Sequence, residues 1–550
     1  MGIICVPTPV FVHFFIFIYK DKVIKKLIWY NKLEMEELAL TIDFGTQSAR
    51  VALFNKKGET VAIVKTPYNP VYISECKGYA EQDADYYYDV LVEGMKKLTS
   101  QHKDKLQYIV GATITTFRDS SVQLDKDLKP LRKCILWLDQ RNAEAREKLP
   151  LLHRILFNLV GMKDTIVLNR KRTMAQWIKE NEPEIWAKTY KYVNISGYLT
   201  YKITGQLVDS ASSVTGHYPI NFKKRKWYSE KALKNVYGIP SSMLCKLKLP
   251  GEKMGTICNE FADEVGLPRD IPLFASGSDK ACETIGLGAL NPNTAAISYG
   301  TASTVEVTNS KFFEPEPFLP AYPAAVPGLY NMEVQIYRGY WMLTWFTKEF
   351  ASELIDEAKI TALSLEELAN KKLGEIPPGS DGLVLQPYWG PGLRRPLSKG
   401  AIVGFSDVHT KYHLYRAIIE GIAYALREGL EGIEKSQHNK VRRIMISGGG
   451  SQSDAICQIT ADIFGKPVSR VQTFETTSLG AAIAVFCALG RFESIDVALK
   501  SMSHKTQTFQ PNPEAHKQYN FLYKKAYVRL YPHAKDIYKE IKKYNDKFTK

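Results

Sequence analysis

Residues 38–61, LALTIDFGTQSARVALFNKKGETV, decide the fold. Leu38, Leu40 and Ile42 alternate along an apolar run that leads into Asp43; a Gly-Thr-Gln-Ser turn follows, and residues 49–54 form a second apolar run. Lys56-Lys57-Gly58 can turn the chain into a third run at 60–65. The pattern predicts a hairpin with an acid at its bend. A buried strand that ends in a carboxylate followed by Gly-Thr sets backbone N–H groups and a hydroxyl beside a negative charge, which suits a phosphate group with its divalent cation. An ordinary hairpin, in which Asp and Gly only make the turn, uses the same residues, and this segment by itself leaves both readings open.

At 550 residues the chain is too long for one compact core, so two large domains with a cleft between them are expected. A hydrophobic share of 45% and a charged share of 24% exclude bulk disorder. The net charge of +15 comes from Lys and Arg spread along the chain. The densest basic stretch, residues 524–550, interleaves Lys with Tyr; a solvated helix that packs its aromatics inward accounts for it better than RNA does, and no nucleic-acid site is assigned. The eight cysteines contain no C-x-x-C pair, so neither a disulfide framework nor a zinc site is signalled, and a reducing cytoplasm fits best. Residues 10–19, VFVHFFIFIY, are apolar but fall well short of the roughly 20 residues that span a bilayer, and they lack the flanks of a secretory signal. Because Met35 stands just before the hairpin, residues 1–34 are expected to be a disordered or non-native leader, and no stable membrane insertion is expected.

Beyond the hairpin, residues 84–98 predict a helix and residues 108–117 a buried strand that ends in Arg118-Asp119. Opposite charges at such a strand end can meet a ligand or form a surface ion pair. Residues 124–149 read as turn, strand and helix, and the stretch around Asp209 as a polar loop. At 272–275 a short apolar strand delivers Asp279 into a Gly/Ser turn before a helix; this carboxylate could accept a substrate proton or cap the helix. Residues 295–307 repeat the order strand, Gly-Thr turn (Gly300, Thr301), strand, with Tyr299 in place of the acid, and suggest duplicated sheets gripping one polyphosphate. Residues 414–433 form an amphipathic helix that belongs to the core. Residues 443–447 predict a strand, followed by Gly448-Gly449-Gly450 and a helix over 454–464; three glycines let a backbone approach a flat or charged ligand, or make a tight connector.

The order of DFGTQSAR, CILWLDQR, SGSDKACETIGLGA, SYGTAS, GAIVGFS…HLYRAIIEG and ISGGGSQSDAICQITADIFGKPV…SLGAA resembles the FGGY carbohydrate kinases over about residues 35 to the 520s. The resemblance implies an α/β protein of two ribonuclease-H-like domains, of the actin and sugar-kinase superfamily, flanking a nucleotide cleft. It implies residues 35–284 on the sugar and metal side, 285–525 on the nucleotide side, and a basic C-terminal helix at 526–550. ATP and Mg²⁺ are the implied cofactors. Asp43 then resembles the carboxylate that holds Mg²⁺, and Gly45, Thr46 and Gln47 line the phosphates. Arg50 steadies transferred charge, Gly300 and Thr301 form the second phosphate loop, and Gly448, Gly449, Gly450 and Ser453 match the adenosine loop. Asp279 aligns with the catalytic base. Arg118-Asp119 aligns with the Arg-Glu pair that holds polyol hydroxyls in glycerol kinases, where xylulose kinases carry His-Gly.

The resemblance implies an ATP-dependent kinase acting on a small sugar or polyol, such as a ketopentose or a glycerol-like polyol. A catalytically weak ATP-binding switch of the actin or chaperone type is the alternative. The expected partner is a small molecule; a homodimer is left open.

Overall fold

The computed structural model describes residues 37–314, 320–389, 395 and 397–548, so the apolar leader stretch at 10–19 and Met35 lie outside the described residues. Two sheets carry the architecture. In the first, β1 (Leu38–Phe44), β2 (Ser48–Phe54) and β3 (Thr60–Pro67) form an antiparallel meander. After helix α1 (Ala84–Gln101), β4 (Ile109–Thr116) returns parallel to β1. Two short strands complete the sheet, β5 (Lys253–Thr256) and β6 (Pro272–Phe274), giving the order β5-β6-β4-β1-β2-β3. Every residue of β1 is buried, as a strand covered on both faces requires.

Helix α2 (Asp279–Gly286) leads into a second sheet with the same scheme. Its strands are β7 (Thr294–Tyr299), β8 (Ser303–Asn309), the two-residue β9 (Tyr322–Pro323), β10 (Tyr330–Ile336), β11 (Arg443–Ser447), β12 (Val468–Val471) and β13 (Lys505–Phe509). β7, β8 and β10 are antiparallel in turn, β11 lies parallel to β7, and β12 parallel to β11. The edges differ in two ways: β5 precedes the strand it pairs with, whereas β13 follows its partner β12, and β9 extends the opposite edge of the second sheet beyond β10. The echo between the two Gly-Thr hairpins is thus the visible part of a duplicated fold. The architecture is a pair of ribonuclease-H-like α/β domains.

Helix α3 (Lys411–Gln437) fills the core beneath the second sheet, while α4 (Asp454–Phe464) and α5 (Thr476–Ala488) follow β11 and β12. A separate apolar cluster joins the halves: Leu479, Ala482 and Phe486 of α5 pack with Cys282 and Ile285 of α2 against Ala39, Ala52 and Phe54 of the first sheet. The two helices cross at glycines. A Cβ on Gly286 would lie 1.9 Å from the Thr476 carbonyl oxygen, and one on Gly480 would lie 1.8 Å from that of Cys282.

Three expectations differ from the structure. No helix follows Asp139. Instead the Arg141 side chain is buried between the rings of Tyr79 and Trp177 and bonds Asp139 and Glu81, which holds the backbone in an irregular path until the helix Leu151–Leu159. Asp209 sits in the short buried strand Val208–Ser210, because Ser196 Oγ and the Ser210 N–H satisfy its carboxylate at 2.7 and 2.8 Å. The tail does not begin anew at 526. α6 (Pro513–Leu522), a π-helical turn (Tyr523–Tyr527) and α7 (Val528–Phe548) form one helical run, whose buried Tyr519, Tyr523, Tyr527, Tyr531 and Tyr538 pack inward. Among the described residues no helix is long and apolar enough to cross a membrane.

Candidate active site

A cleft of about 1990 Å³ opens at the C-terminal ends of β1, β4, β7 and β11, where an α/β sheet exposes the loops that follow its parallel strands. Every site residue singled out in the sequence lines it: Asp43, Gly45, Thr46, Gln47, Arg50, Arg118, Asp119, Asp279, Gly300, Thr301, Gly448, Gly449, Gly450 and Ser453.

On the first hairpin the Gly45 N–H is taken by the Ser48 carbonyl at 3.1 Å, leaving Thr46 and Gln47 as the cleft-facing part of the turn. Asp43 is buried, and its Oδ1 has no hydrogen-bond partner. Burial, with the charges of Asp279, Glu475 and Glu283, pushes its carboxyl up to about 7 against the pull of Arg50. A buried carboxylate oxygen left unmet is a costly arrangement, and a cation beside it removes the cost. No cluster of three or more metal-ligating side chains occurs among the described residues. This donor set fits Mg²⁺, which keeps several waters and takes one or two carboxylates plus phosphate oxygens. Arg50 pairs through Nε with Glu475 Oε2 at 2.7 Å, tying this hairpin to the N-terminal end of α5.

Asp279 occupies the first turn of α2, but the cap is Ser278, whose hydroxyl accepts the Ala281 N–H. The Asp279 carboxylate also meets the helix start, its Oδ1 accepting the Lys280 N–H at 2.8 Å. Burial raises its pKa, with Lys280 and Arg118 pulling the other way. Directly behind it lies a node that sequence reasoning missed. Glu283 accepts hydrogen bonds from Lys280 Nζ (2.7 Å), Ser298 Oγ (3.0 Å) and Ser447 Oγ (2.6 Å), so α2 is fastened to the ends of β7 and β11. The Lys-x-x-Glu spacing on a helix start was a signal for half of it; the two serines come from remote strands.

Arg118 and Asp119 diverge. Arg118 makes a two-pronged ion pair with Glu333 of β10, at 2.6 and 2.7 Å, across the cleft floor. Asp119, at φ 53°, turns instead to His217. Nothing in the sequence linked these partners, which lie 215 and 98 residues away.

On the second sheet, Tyr299 stacks on Tyr340 at 4.5 Å, and the Gly300 carbonyl accepts the Tyr340 N–H at 3.0 Å. The three glycines divide their duties. A Cβ on Gly448 (φ 80°) would strike the Tyr299 carbonyl at 2.6 Å and one on Gly450 the Tyr340 ring at 2.3 Å, so both are required by the protein's own packing. Gly449 alone faces open space. Ser453 caps α4 by accepting the Ile456 N–H at 3.4 Å.

A duplicated α/β fold with two carboxylates and two Gly-Thr turns facing one cleft is the framework of a phosphotransferase, and comparison with known proteins defines which. The profile of the FGGY family of carbohydrate kinases, N-terminal domain, matches residues 38–286, and that of the C-terminal domain matches residues 295–489. The chain belongs to this family, whose members transfer phosphoryl groups to sugar hydroxyls. It is similar to the xylulose kinase of Lactococcus lactis, 28% identical over 92% of this chain and 99% of that protein. It is also similar to the gluconokinase of Bacillus licheniformis, 28% identical over 89% of this chain and 94% of that one. Among solved structures, the ligand-bound xylulose kinase of Lactobacillus acidophilus superposes with a TM-score of 0.77 at 22% identity, covering 92% of this chain and 100% of that one. Plasmodium falciparum glycerol kinase with ADP gives 0.70 at 20%, covering 90% and 98%.

Proposed function

We propose that the protein transfers the γ-phosphoryl group of ATP, with Mg²⁺, to a hydroxyl of a small ketose or polyol. The observation that carries this reading is the pair Asp43 and Asp279: two carboxylates on different elements that face one cleft, each pushed up by burial, one with an unmet oxygen and the other at the head of α2. Asp43 would hold the cation, which neutralises phosphate charge when bound. Thr46, Gln47, Gly300 and Thr301 flank the phosphates, and the open face of Gly449 receives the nucleoside. Asp279 takes the proton of the attacking hydroxyl as the new O–P bond forms and ADP leaves; a raised carboxyl value suits a base that must later release that proton. Arg50, held by its ion pair with Glu475, balances charge at the transferred group. The seven cysteines among the described residues are free thiols, which supports work in the reducing cytoplasm.

The test is ADP release over xylulose, ribulose, glycerol, erythritol, gluconate and a dihydroxypentanedione. Asp279→Asn should keep ATP binding and the melting temperature while turnover falls by about 10²–10⁴. A variant with near wild-type kcat overturns the assignment of the base. ATP binding without sugar-stimulated turnover in the wild type would favour the switch.

A further inference from the structure

The end of the cleft away from the nucleotide loops holds an Asp–His pair that the family resemblance does not supply. Asp119 lies in the left-handed region, φ 53°, beneath the backbone of residues 216–217. Its Oδ1 accepts the His217 N–H at 2.9 Å, and its Oδ2 meets His217 Nδ1 at 2.7 Å. Gly216 makes this approach possible: it has φ 93°, and a Cβ there would sit 2.3 Å from the Asp119 carboxyl carbon. Both carboxylate oxygens are therefore engaged by one residue. The ring of His217 stands edge-on to Tyr237, 6.1 Å between centroids, and lines the cleft beside it. Although burial works the other way, the His217 ring and backbone and the Arg118 charge hold the Asp119 carboxyl below its ordinary value. Asp119 takes the Nδ1 side of the ring, so Nε2 is the edge left for the cleft, and among the described residues it has no protein hydrogen-bond partner.

We infer that His217 is the group that meets the sugar at this end of the cleft, through a hydrogen bond between Nε2 and a substrate hydroxyl, and that Asp119 is a positioning residue acting through it. The neighbouring Arg118 spends two of its five N–H donors on Glu333. The inference rests on the kinase reading above and adds a specificity-determining residue to it. With Asp119 at φ 53°, its carboxylate reaches both hydrogen-bonding groups of residue 217.

The test is a double-mutant cycle, His217→Ala, Asp119→Asn and the two combined, on the panel member with the highest wild-type kcat/KM. Asn is chosen because it tolerates the left-handed backbone. Each single variant should raise the sugar KM about tenfold with kcat and the ATP KM within about twofold, as loss of one hydrogen bond to bound substrate requires. The double variant should be no worse than His217→Ala. Multiplied effects would mean that Asp119 grips the sugar itself, and an unchanged KM in His217→Ala would mean that the ring does not touch it; either overturns the inference while leaving the kinase reading intact. If Asp119→Asn does not fold, the unchanged or raised KM of His217→Ala still decides. Absence of sugar-stimulated turnover in the wild type with every panel member overturns the kinase reading and the inference together.

Discussion

The crossing of α2 and α5 offers the sharpest perturbation, Gly480→Ala. An added Cβ would lie 1.8 Å from the Cys282 carbonyl oxygen and 2.7 Å from the Gly286 nitrogen, both backbone atoms that cannot rotate aside. Contacts of this kind are essentially never shorter than 3.0 Å, so the helices must part by about 1.2 Å. Overpacking of a close-packed crossing costs about 1–3 kcal/mol, and a backbone clash belongs at the upper end. The displacement also reaches the chemistry. Asp279 heads α2 and Glu475, partner of Arg50, precedes α5, so a shift near 1 Å moves Asp279, the proposed base, away from the first hairpin and should cost about 10² in kcat. The assay pairs urea unfolding with steady-state ADP release on the same preparation. Gly374→Ala serves as control, because nothing lies within 4 Å of a Cβ there. If Gly480→Ala matched the control in both stability and kcat, the view of the crossing as a rigid mount for Asp279 would be refuted.

Two further outcomes follow from single residues. Gly449→Ala should melt like the wild type yet raise the KM for ATP, whereas Gly448→Ala, strained at φ 80° and blocked by the Tyr299 carbonyl, should lose about 2 kcal/mol or more; thermal unfolding and ATP titration separate them, and equal melting temperatures would contradict the division of labour. Asp209 is buried and pushed from 3.8 to about 7 by desolvation that outweighs its hydrogen bonds, so it contributes stability below pH 4 that is lost as pH rises through 7, about 4 kcal/mol in all. The stability of Asp209→Asn relative to wild type should therefore climb between pH 4 and 7 and level off above; parallel curves from urea unfolding would rule this out.

Much of the scaffold was legible because its signals are local. The alternation of Leu38, Leu40 and Ile42 marks β1, the run 443–447 coincides with β11, and the helical spacing from Leu414 to Ile433 lies within α3. The helix expected after Asp139 fails for a tertiary reason: Arg141 gains two carboxylates and two aromatic faces by leaving helical geometry, and helix propensity, worth tenths of a kcal/mol per residue, cannot compete. The motifs brought the cleft-lining residues into view but not their partners. Arg118 and Asp119 are adjacent in sequence, yet one closes on Glu333 and the other on His217, a divergence set by the turn at Asp119 and by remote strands. Similarly, Ser278 and Asp279 share the start of α2, one accepting the Ala281 N–H and the other the Lys280 N–H, a division that composition does not encode.

Helix α5 follows β12 of the second sheet in the chain, yet it lies against β1, β2 and β4 of the first and covers Ala39, Ala52 and Phe54. The halves therefore share ownership of a layer. Separating the halves would strip the first hairpin of the roof over Ala39, Ala52 and Phe54, so neither half closes its own core and the two would unfold as one.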